Sequence, residues 1–299
     1  MIVQTENVWK TFGSFGALKG LSLCVPEGSH FALLGANGAG KTTSIKMLMN
    51  IVQPTRGIAT ILGVDSRRLS RRELVRIGYV SESQELPGRM TVGGYISYLR
   101  PFYPDWDRTL EAEVLRSLRL PLERRIKNLS HGMRLKMALA CALPFRPKLL
   151  VMDEPLSGLD PLMREEVMQS LFHWTGGATV LMSSHELVEV EEFATHVAFL
   201  DRGKLLFQEA THDLVKRFRE VRAIFAHPVG MAAGAPPQWL ELRSDGHALS
   251  FIDTHYSDEE TLASALTGIV GSLGQLECRP MGLRSIFTAL ARTMQTEEP

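Results

Sequence analysis

Residues 35–42, with the sequence GANGAGKT, have the composition and spacing of a loop that binds phosphate. The loop follows the apolar run HFALLG and precedes a helical pattern, which is the strand–loop–helix context that this spacing requires. Backbone N–H groups in the loop and at the start of the helix would form an anion site. A glycine-rich turn without a ligand is the alternative, and the complete eight-residue pattern disfavours it. We expect these residues to bind a nucleotide: Gly35, Asn37, Gly38, Ala39, Gly40, Lys41, Thr42 and Thr43.

Two adjacent carboxylates, Asp153 and Glu154, end the apolar run LLVM at 149–152. Sheets of parallel strands bind ligands at the carboxyl ends of the strands, so both side chains are expected beside the loop at 35–42. Neighbours on a strand point to opposite sides, so one carboxylate can face Mg²⁺ and the other the attacking water. We assign Asp153 and the Thr42 hydroxyl to Mg²⁺, Lys41 to the β- and γ-phosphates, and Glu154 to the water as general base or orienting residue. If the loop at 35–42 were absent, the preferred interpretation of Asp153 and Glu154 would be two solvated carboxylates at the end of a strand.

Short apolar runs alternate with helical patterns through the first 200 residues. The runs lie at 30–35, 148–155, 178–185 and 196–203, and the helical patterns at 42–52, 110–118, 133–143 and 162–174. Continuous apolar runs are typical of buried parallel strands, and the alternation predicts an α/β fold. Residues 85–147 contain few strand-like runs, which predicts a helical insertion.

The pattern changes after about residue 215, where alternating runs surround Asp245-Gly246 as in a tight hairpin. A helix is predicted at 258–266, a strand at 276–279 and a closing helix at 283–294. We therefore predict a domain over 1–215 and a small α+β domain over 216–299, whose role could be regulation, dimer contacts or a structural cap.

Composition excludes several classes of protein. The 33 basic and 33 acidic residues balance, so no overall field attracts nucleic acid, and no nucleic-acid partner is expected. The three cysteines, Cys24, Cys141 and Cys278, lie far apart and predict neither a zinc site nor a disulfide framework. No secretory signal is recognised, and no window approaches the about 18 apolar residues of a membrane helix. We expect the chain to reach a membrane only by docking onto another protein.

Five elements in order resemble the ATP-binding cassette (ABC) family. They are the loop at 35–42, LSHGM at 129–133, DEP at 153–155, SGLD at 157–160 and SSHE at 183–186. The resemblance covers about residues 1–215 and implies a P-loop NTPase core, with a RecA-like parallel sheet and antiparallel β and helical subdomains. Three further features resemble the ATPase subunits of bacterial export-type (ABC-2-like) transporters. They are the single cassette with a small C-terminal domain, FYPDWD at 102–107 and LRSIF at 283–287.

The resemblance also implies roles for single residues. His185 would contact the γ-phosphate and the catalytic glutamate, Phe12 would stack on adenine, and Asp160 would couple two active sites. Ser130 and Gly132 would close over the γ-phosphate held by a second copy, so that two chains sandwich two ATP molecules. Ser130 is also a good helix N-cap, and the free N–H groups of the helix that it opens favour an anion.

Two positions depart from the family pattern. The glutamine that senses the γ-phosphate and joins the magnesium site falls at Glu82 or Gln84, depending on whether two residues are inserted, and we favour Gln84. In the signature, His131 and Met133 replace residues of the commonest form, LSGGQ. We expect the two chains still to close over ATP, in a weaker or slower sandwich that His131 could make pH-sensitive.

Together these features predict an ATPase that binds ATP and Mg²⁺ and dimerises with a second copy or a paralogous subunit. ATP would act by binding the closed state more tightly, which moves a polytopic transmembrane permease docked at 85–147. The chain would lie on the cytoplasmic face of the membrane, and export is the favoured direction. The alternative is a non-transport ABC ATPase in metal-cluster assembly, or acting on ribosomes or DNA. A small-molecule kinase would leave LSHGM and SSHE unexplained.

Overall fold

The structure is a computed structural model that describes residues 1–81, 83–185, 191–230 and 234–296. It divides into two compact units, Met1–Gln208 and Glu209–Pro299. The division falls before the boundary predicted at residue 215. It places Glu209 in the second unit together with Arg217, which donates to the Glu209 carboxylate at 2.7 Å and to the Thr254 carbonyl at 2.6 Å. That these units are separate domains stays a proposal, which the stability experiment below tests.

The first unit begins with four strands, and helices and further strands follow. In chain order they are β1 (Val3–Phe12), β2 (Phe15–Leu21), β3 (Cys24–Val25), β4 (His30–Leu34), α1 (Lys41–Leu48), β5 (Arg56–Ile61), β6 (Val64–Asp65), α2 (Arg71–Leu74), β7 (Ile77–Ser81), α3 (Val92–Leu99), α4 (Arg108–Ser117), α5 (His131–Ala142), β8 (Leu149–Asp153), α6 (Pro161–Thr175), β9 (Thr179–Ser184), β10 (His196–Asp201) and β11 (Lys204–Ala210). Short 3₁₀ turns lie at Ser66–Arg68, Arg100–Phe102 and Ile126–Asn128.

A six-stranded sheet in the order β11-β10-β4-β9-β8-β7 forms the centre of this unit. Its pairs β10–β4, β4–β9, β9–β8 and β8–β7 are parallel. All residues of β8 and β9 are buried, as expected for strands that are apolar on both faces. The parallel strands predicted from the four apolar runs are confirmed.

The other two parts of the first unit are an antiparallel sheet and a group of helices. The sheet has the order β2-β1-β5-β6, and β3 also pairs with β1. Helix α1 joins the core of both sheets through the buried side chains of Ile45, Met47 and Leu48. Helices α3, α4 and α5 occupy the segment between β7 and β8, where the sequence predicts a helical insertion.

The second unit is an antiparallel sheet with helices. In chain order it contains α7 (Thr211–Arg217), β12 (Arg219–Phe225), β13 (Trp239–Asp245), β14 (Ala248–Asp253), α8 (Glu259–Ile269), β15 (Leu273–Pro280) and α9 (Leu283–Thr296). The strand order is β13-β14-β12-β15, and β13 and β14 form the hairpin predicted at Asp245-Gly246. One face of the sheet packs on Leu262 and Leu266 of α8.

Within the described parts of the chain, the structure contains no helix with the length and apolar character needed to cross a bilayer.

We expect Phe251→Ala to destabilise the second unit by about 3–5 kcal/mol. Phe251 is 2% exposed, and its ring stacks on Trp239 with 4.2 Å between centroids, so truncation leaves a cavity in the core. If the two units are domains, calorimetry will show one transition at lower temperature and the other unchanged. Phe102→Ala, at a side chain that is 45% exposed, is the control. A single transition that shifts as a whole would contradict the two-domain proposal.

Candidate functional site

The loop at 35–40 connects β4 to α1 through backbone that only glycine adopts easily. Gly35 and Gly40 have φ values of +154° and +108°. A Cβ at Gly35 would overlap the carbonyl oxygen of Leu200, and one at Gly40 would lie 2.8 Å from that of Ala17. The turn therefore needs glycine at both positions in order to deliver Lys41 at the first position of α1.

The Lys41 ammonium is buried, with 4% of the residue exposed. Its Nζ donates to the carbonyl oxygens of Gly35 at 2.6 Å and Ala36 at 3.1 Å, and lies 3.0 Å from Glu154 Oε1. These three partners match the three N–H donors of an ammonium group. A phosphate oxygen that binds Lys41 must therefore replace one of them.

Asp153 lies at the end of β8 and accepts two hydrogen bonds on one carboxylate oxygen. Thr42 Oγ1 donates to Asp153 Oδ1 at 3.0 Å, and Ser183 Oγ donates to the same atom at 2.8 Å. Burial raises the pKa of Asp153, and the neighbouring Glu154 raises it further, against the lowering effect of the two hydroxyl donors. The pair Thr42 and Asp153, predicted from distant parts of the sequence, is therefore brought into direct contact.

The oxygen atoms available near these residues suit Mg²⁺. This ion prefers oxygen ligands, and a hydroxyl and a carboxylate meet at Thr42 and Asp153. Gln84 Oε1 is buried and has no hydrogen-bond partner among the residues described. An unpartnered amide oxygen is a suitable third ligand, so Gln84 stays our prediction, whereas the alternative, Glu82, lies outside the described residues.

The Glu154 carboxylate lies between a lysine and a histidine. Its Oε1 contacts Lys41 Nζ at 3.0 Å, and its Oε2 lies 2.6 Å from His185 Nδ1. The Glu154 backbone has a φ of +50°, a conformation that non-glycine residues rarely adopt and that is often found at functional sites. The structure thus brings both predicted catalytic residues together and adds Lys41 to them.

Ser183 is a further residue of the candidate site, to which the sequence assigned no role. Its hydroxyl donates to Asp153 Oδ1 and accepts from the backbone N–H of Glu154 at 2.9 Å, so it holds both acidic residues. Residues 153 and 183 are paired in the parallel register of β8 and β9. The signal was its place in SSHE, two residues before His185.

The signature residues Ser130 and Gly132 lie at the start of α5, and Asp160 lies at the start of α6. Ser130 caps α5 and accepts from the N–H of Met133 at 3.3 Å, while Asp160 caps α6 and accepts from the N–H of Met163 at 3.0 Å. Gly132 is buried, and a Cβ there would overlap Met163 Sδ. Within the described ranges, no hydrogen bond joins Ser130, Gly132 or Asp160 to Lys41 or Glu154.

The remaining predicted residues lie on the loop, on α1 and at the end of β1. Asn37 is exposed, Ala39 is buried and Thr43 is half-buried. Phe12 is 50% exposed at the end of β1, and Lys10 Nζ lies 4.8 Å from its ring centroid. An exposed ring is compatible with the predicted stacking on a base, which stays a prediction.

The raised pKa of Asp153 predicts a pH-dependent stability. The folded chain holds this proton more tightly than the unfolded chain, so the contribution of Asp153 to stability is greatest below the ordinary carboxyl pKa and is lost as pH rises through the raised value. We expect Asp153→Asn to stabilise the nucleotide-free and Mg²⁺-free chain at neutral pH by about 0.5–2 kcal/mol, while ATP turnover with Mg²⁺ falls. Thermal melts across pH measure this. A variant that melts below the wild type at neutral pH would contradict it.

Sequence comparison finds one family and several curated relatives. The profile described as "ABC transporter" matches residues 18–157. The Nod factor export ATP-binding protein I of Rhizobium sp. (strain N33) is 32% identical over 298 residues, 96% of each chain. The bacitracin transport ATP-binding protein BcrA of Bacillus licheniformis is 33% identical over 224 residues, 73% of each. The "Probable multidrug ABC transporter ATP-binding protein YbhF" of Escherichia coli (strain K12) is 31% identical over 219 residues, 71% of this chain, which spans only 38% of that protein.

Solved structures show the same fold over about 70% of the chain. A dimeric ATP-binding cassette, MJ0796, bound to ADP and Pi aligns with a TM-score of 0.61 at 25% identity, over 70% of this chain and 98% of that one. A bacterial Atm1-family ABC exporter with ATP bound aligns with a TM-score of 0.63 at 26% identity, over 72% of this chain and 39% of that one. The α/β fold with a P-loop core, predicted from the sequence, is confirmed.

Proposed function

Because the chain belongs to the ABC transporter family, we propose that it is the ATP-binding and ATP-hydrolysing subunit of an export-type transporter. The family predicted from the five motifs is thereby confirmed. The observation that carries the proposed activity is the Glu154 carboxylate, which lies 3.0 Å from Lys41 Nζ and 2.6 Å from His185 Nδ1 beside the phosphate-binding loop.

The contact between Lys41 and Glu154 provides a way for ATP binding to release the general base. All three N–H donors of Lys41 have protein partners, one of them Glu154 Oε1. A γ-phosphate oxygen that replaces this carboxylate on Lys41 leaves Glu154 Oε1 able to accept a hydrogen bond from water. Binding of the phosphate would therefore release the general base at the place where it is needed.

Hydrolysis then follows from the positions of these groups. The water oxygen forms a bond to the γ-phosphorus, the bond between that phosphorus and the β,γ-bridging oxygen breaks, and Glu154 accepts the proton from the water. His185 holds the second carboxylate oxygen of Glu154 and so fixes its orientation. Mg²⁺, held by Thr42, Asp153 and Gln84, would neutralise charge on the β- and γ-phosphates.

A second copy of the chain would complete each site. Ser130 caps α5, whose first N–H groups form a positive end that suits an anion. We propose that this end binds the γ-phosphate held by the partner's loop and that Asp160 couples the two sites. The dimeric state named for the MJ0796 cassette supports this arrangement.

A transporter subunit of this kind needs a membrane partner. The relatives are named for export or transport, and the chain itself has no membrane-spanning helix in its described ranges. We propose that a polytopic permease docks on the helical insertion at 85–147 and holds the subunit at the cytoplasmic face. The relatives are named for different cargoes, so we propose no cargo.

Copurification from the native host tests this function. The tagged chain carrying Glu154→Gln, which is expected to hold the closed state, is extracted gently from membranes. The tagged chain carrying Lys41→Ala is prepared in parallel for comparison. We expect one polytopic membrane protein in a fixed ratio to the tagged chain. Recovery from the soluble fraction alone, with ribosomes, DNA or an assembly scaffold, would favour a non-transport ABC ATPase.

A further inference from the structure

His131, the first residue of α5, bonds to a different loop of the same chain. Its Nε2 lies 3.0 Å from the carbonyl oxygen of Ser157. A carbonyl only accepts, so Nε2 carries a proton and donates, which it can do in the neutral Nε2–H tautomer and in the charged form alike. The bond therefore does not depend on the charge of the imidazole.

Ser157 connects this bond to the catalytic glutamate. The Ser157 N–H donates to the carbonyl oxygen of Glu154 at 3.3 Å, and the residue lies three positions after Glu154. On the other side, His131 is the immediate neighbour of Ser130 and Gly132. A single side chain thus links the start of α5, which we propose binds phosphate, to the backbone turn that follows Glu154.

The start of α5 also packs against Leu159, in the loop at 157–160, and against Met163 of α6. A Cβ on Gly132 would overlap Met163 Sδ and would lie 3.3 Å from Leu159 Cδ2, so the absence of a side chain at 132 allows this close approach. Gly158 turns the loop with a φ of +69°, beside the His131 ring. The His131 bond therefore joins surfaces that are already in van der Waals contact, which fixes their relative position.

We propose that His131 is a positioning residue that makes the start of α5 and the loop at 157–160 move as one body. The inference rests on the proposed function, in which the start of α5 binds the partner's ATP and Glu154 acts on the chain's own ATP. When the two chains close over one nucleotide, the movement of the start of α5 is then transmitted through His131 and Ser157 to the turn that follows Glu154. A glycine at 131, as in the commonest signature, offers no donor for this bond.

Hydrogen exchange on the full chain without nucleotide tests the contact itself. His131→Ala removes the donor and keeps a good helix former, whereas His131→Gln keeps an N–H at a similar distance from Cα. We expect His131→Ala to increase amide exchange about two- to tenfold both at 130–134 and at 157–160, and His131→Gln to remain close to the wild type. His227→Gln, which changes an exposed histidine of the second unit, is the control and should alter neither segment.

The dependence of hydrolysis on ATP concentration tests the coupling. We expect His131→Ala to lower the Hill coefficient of the wild type towards 1 and to change the ATP affinity of the single chain by less than about twofold, because the Lys41 site is untouched. His131→Gln should restore the Hill coefficient. Unchanged exchange at 157–160 in His131→Ala, or increased exchange with an unchanged Hill coefficient, would overturn the proposal. Failure of the proposed function would appear differently, as a wild type that does not hydrolyse ATP, while the exchange result would still report on the His131 contact.

Discussion

Glu154→Gln is expected to lower the rate of ATP hydrolysis by at least about 10²-fold while ATP binding is retained. The amide has nearly the shape of the carboxylate but cannot accept a proton from the attacking water. Lys41, the loop at 35–40 and the pair of Thr42 and Asp153 are unchanged, so the contacts proposed for the phosphates persist. The Glu154 carboxylate is the group that both Lys41 and His185 contact, and its loss should therefore dominate turnover.

Phosphate release at saturating ATP and equilibrium binding of ATP measure the two effects separately. Glu192→Gln changes an exposed carboxylate of the same unit and is the matched control, which should hydrolyse ATP at the wild-type rate. A Glu154→Gln protein that turns over within about tenfold of the wild type would show that another group is the general base.

Lys41→Ala is expected to have the opposite effect, a loss of ATP binding. The variant removes a buried ammonium that would donate to the β- and γ-phosphates. Hydrogen bonds to charged groups contribute about 1.5–3 kcal/mol, which corresponds to an increase of about 10- to 150-fold in the dissociation constant for ATP. The variant also leaves the Glu154 carboxylate without its cation, which adds repulsion towards the γ-phosphate.

Titration with a fluorescent ATP analogue measures this affinity. Lys204→Ala removes an exposed lysine from the edge strand β11 and should bind with the wild-type affinity. Wild-type affinity in Lys41→Ala would refute the assignment of the loop at 35–42 to phosphate.

Much of the fold and of the nucleotide site is predictable because the signals are local. The four apolar runs become β4, β8, β9 and β10, since strands that are apolar on both faces have few stable places other than the centre of a sheet. The predicted helices at 110–118 and 162–174 correspond to α4 (Arg108–Ser117) and α6 (Pro161–Thr175). Their N-terminal ends are set by the N-caps Asp107 and Asp160.

Contacts between distant segments could not be predicted in this way. Ser183 acts because the register of β8 and β9 places it opposite Asp153, and no pattern in the sequence specifies that register. The bond from His131 to Ser157 depends on how α5 packs beside the loop at 157–160. The division between Gln208 and Glu209, rather than at residue 215, reflects contacts between residues distant in sequence. These features arise from tertiary packing, which spacing and composition do not encode directly.

Closure of two chains over ATP is tested most directly by the mass of the Glu154→Gln protein in solution. Sedimentation velocity with Mg²⁺ and saturating ATP should give a species of two chains, and the same protein with ADP should sediment as one chain of 33.3 kDa. Bound nucleotide should amount to one ATP for each chain. A single chain under both conditions, with ATP bound, would contradict closure by two copies of this chain.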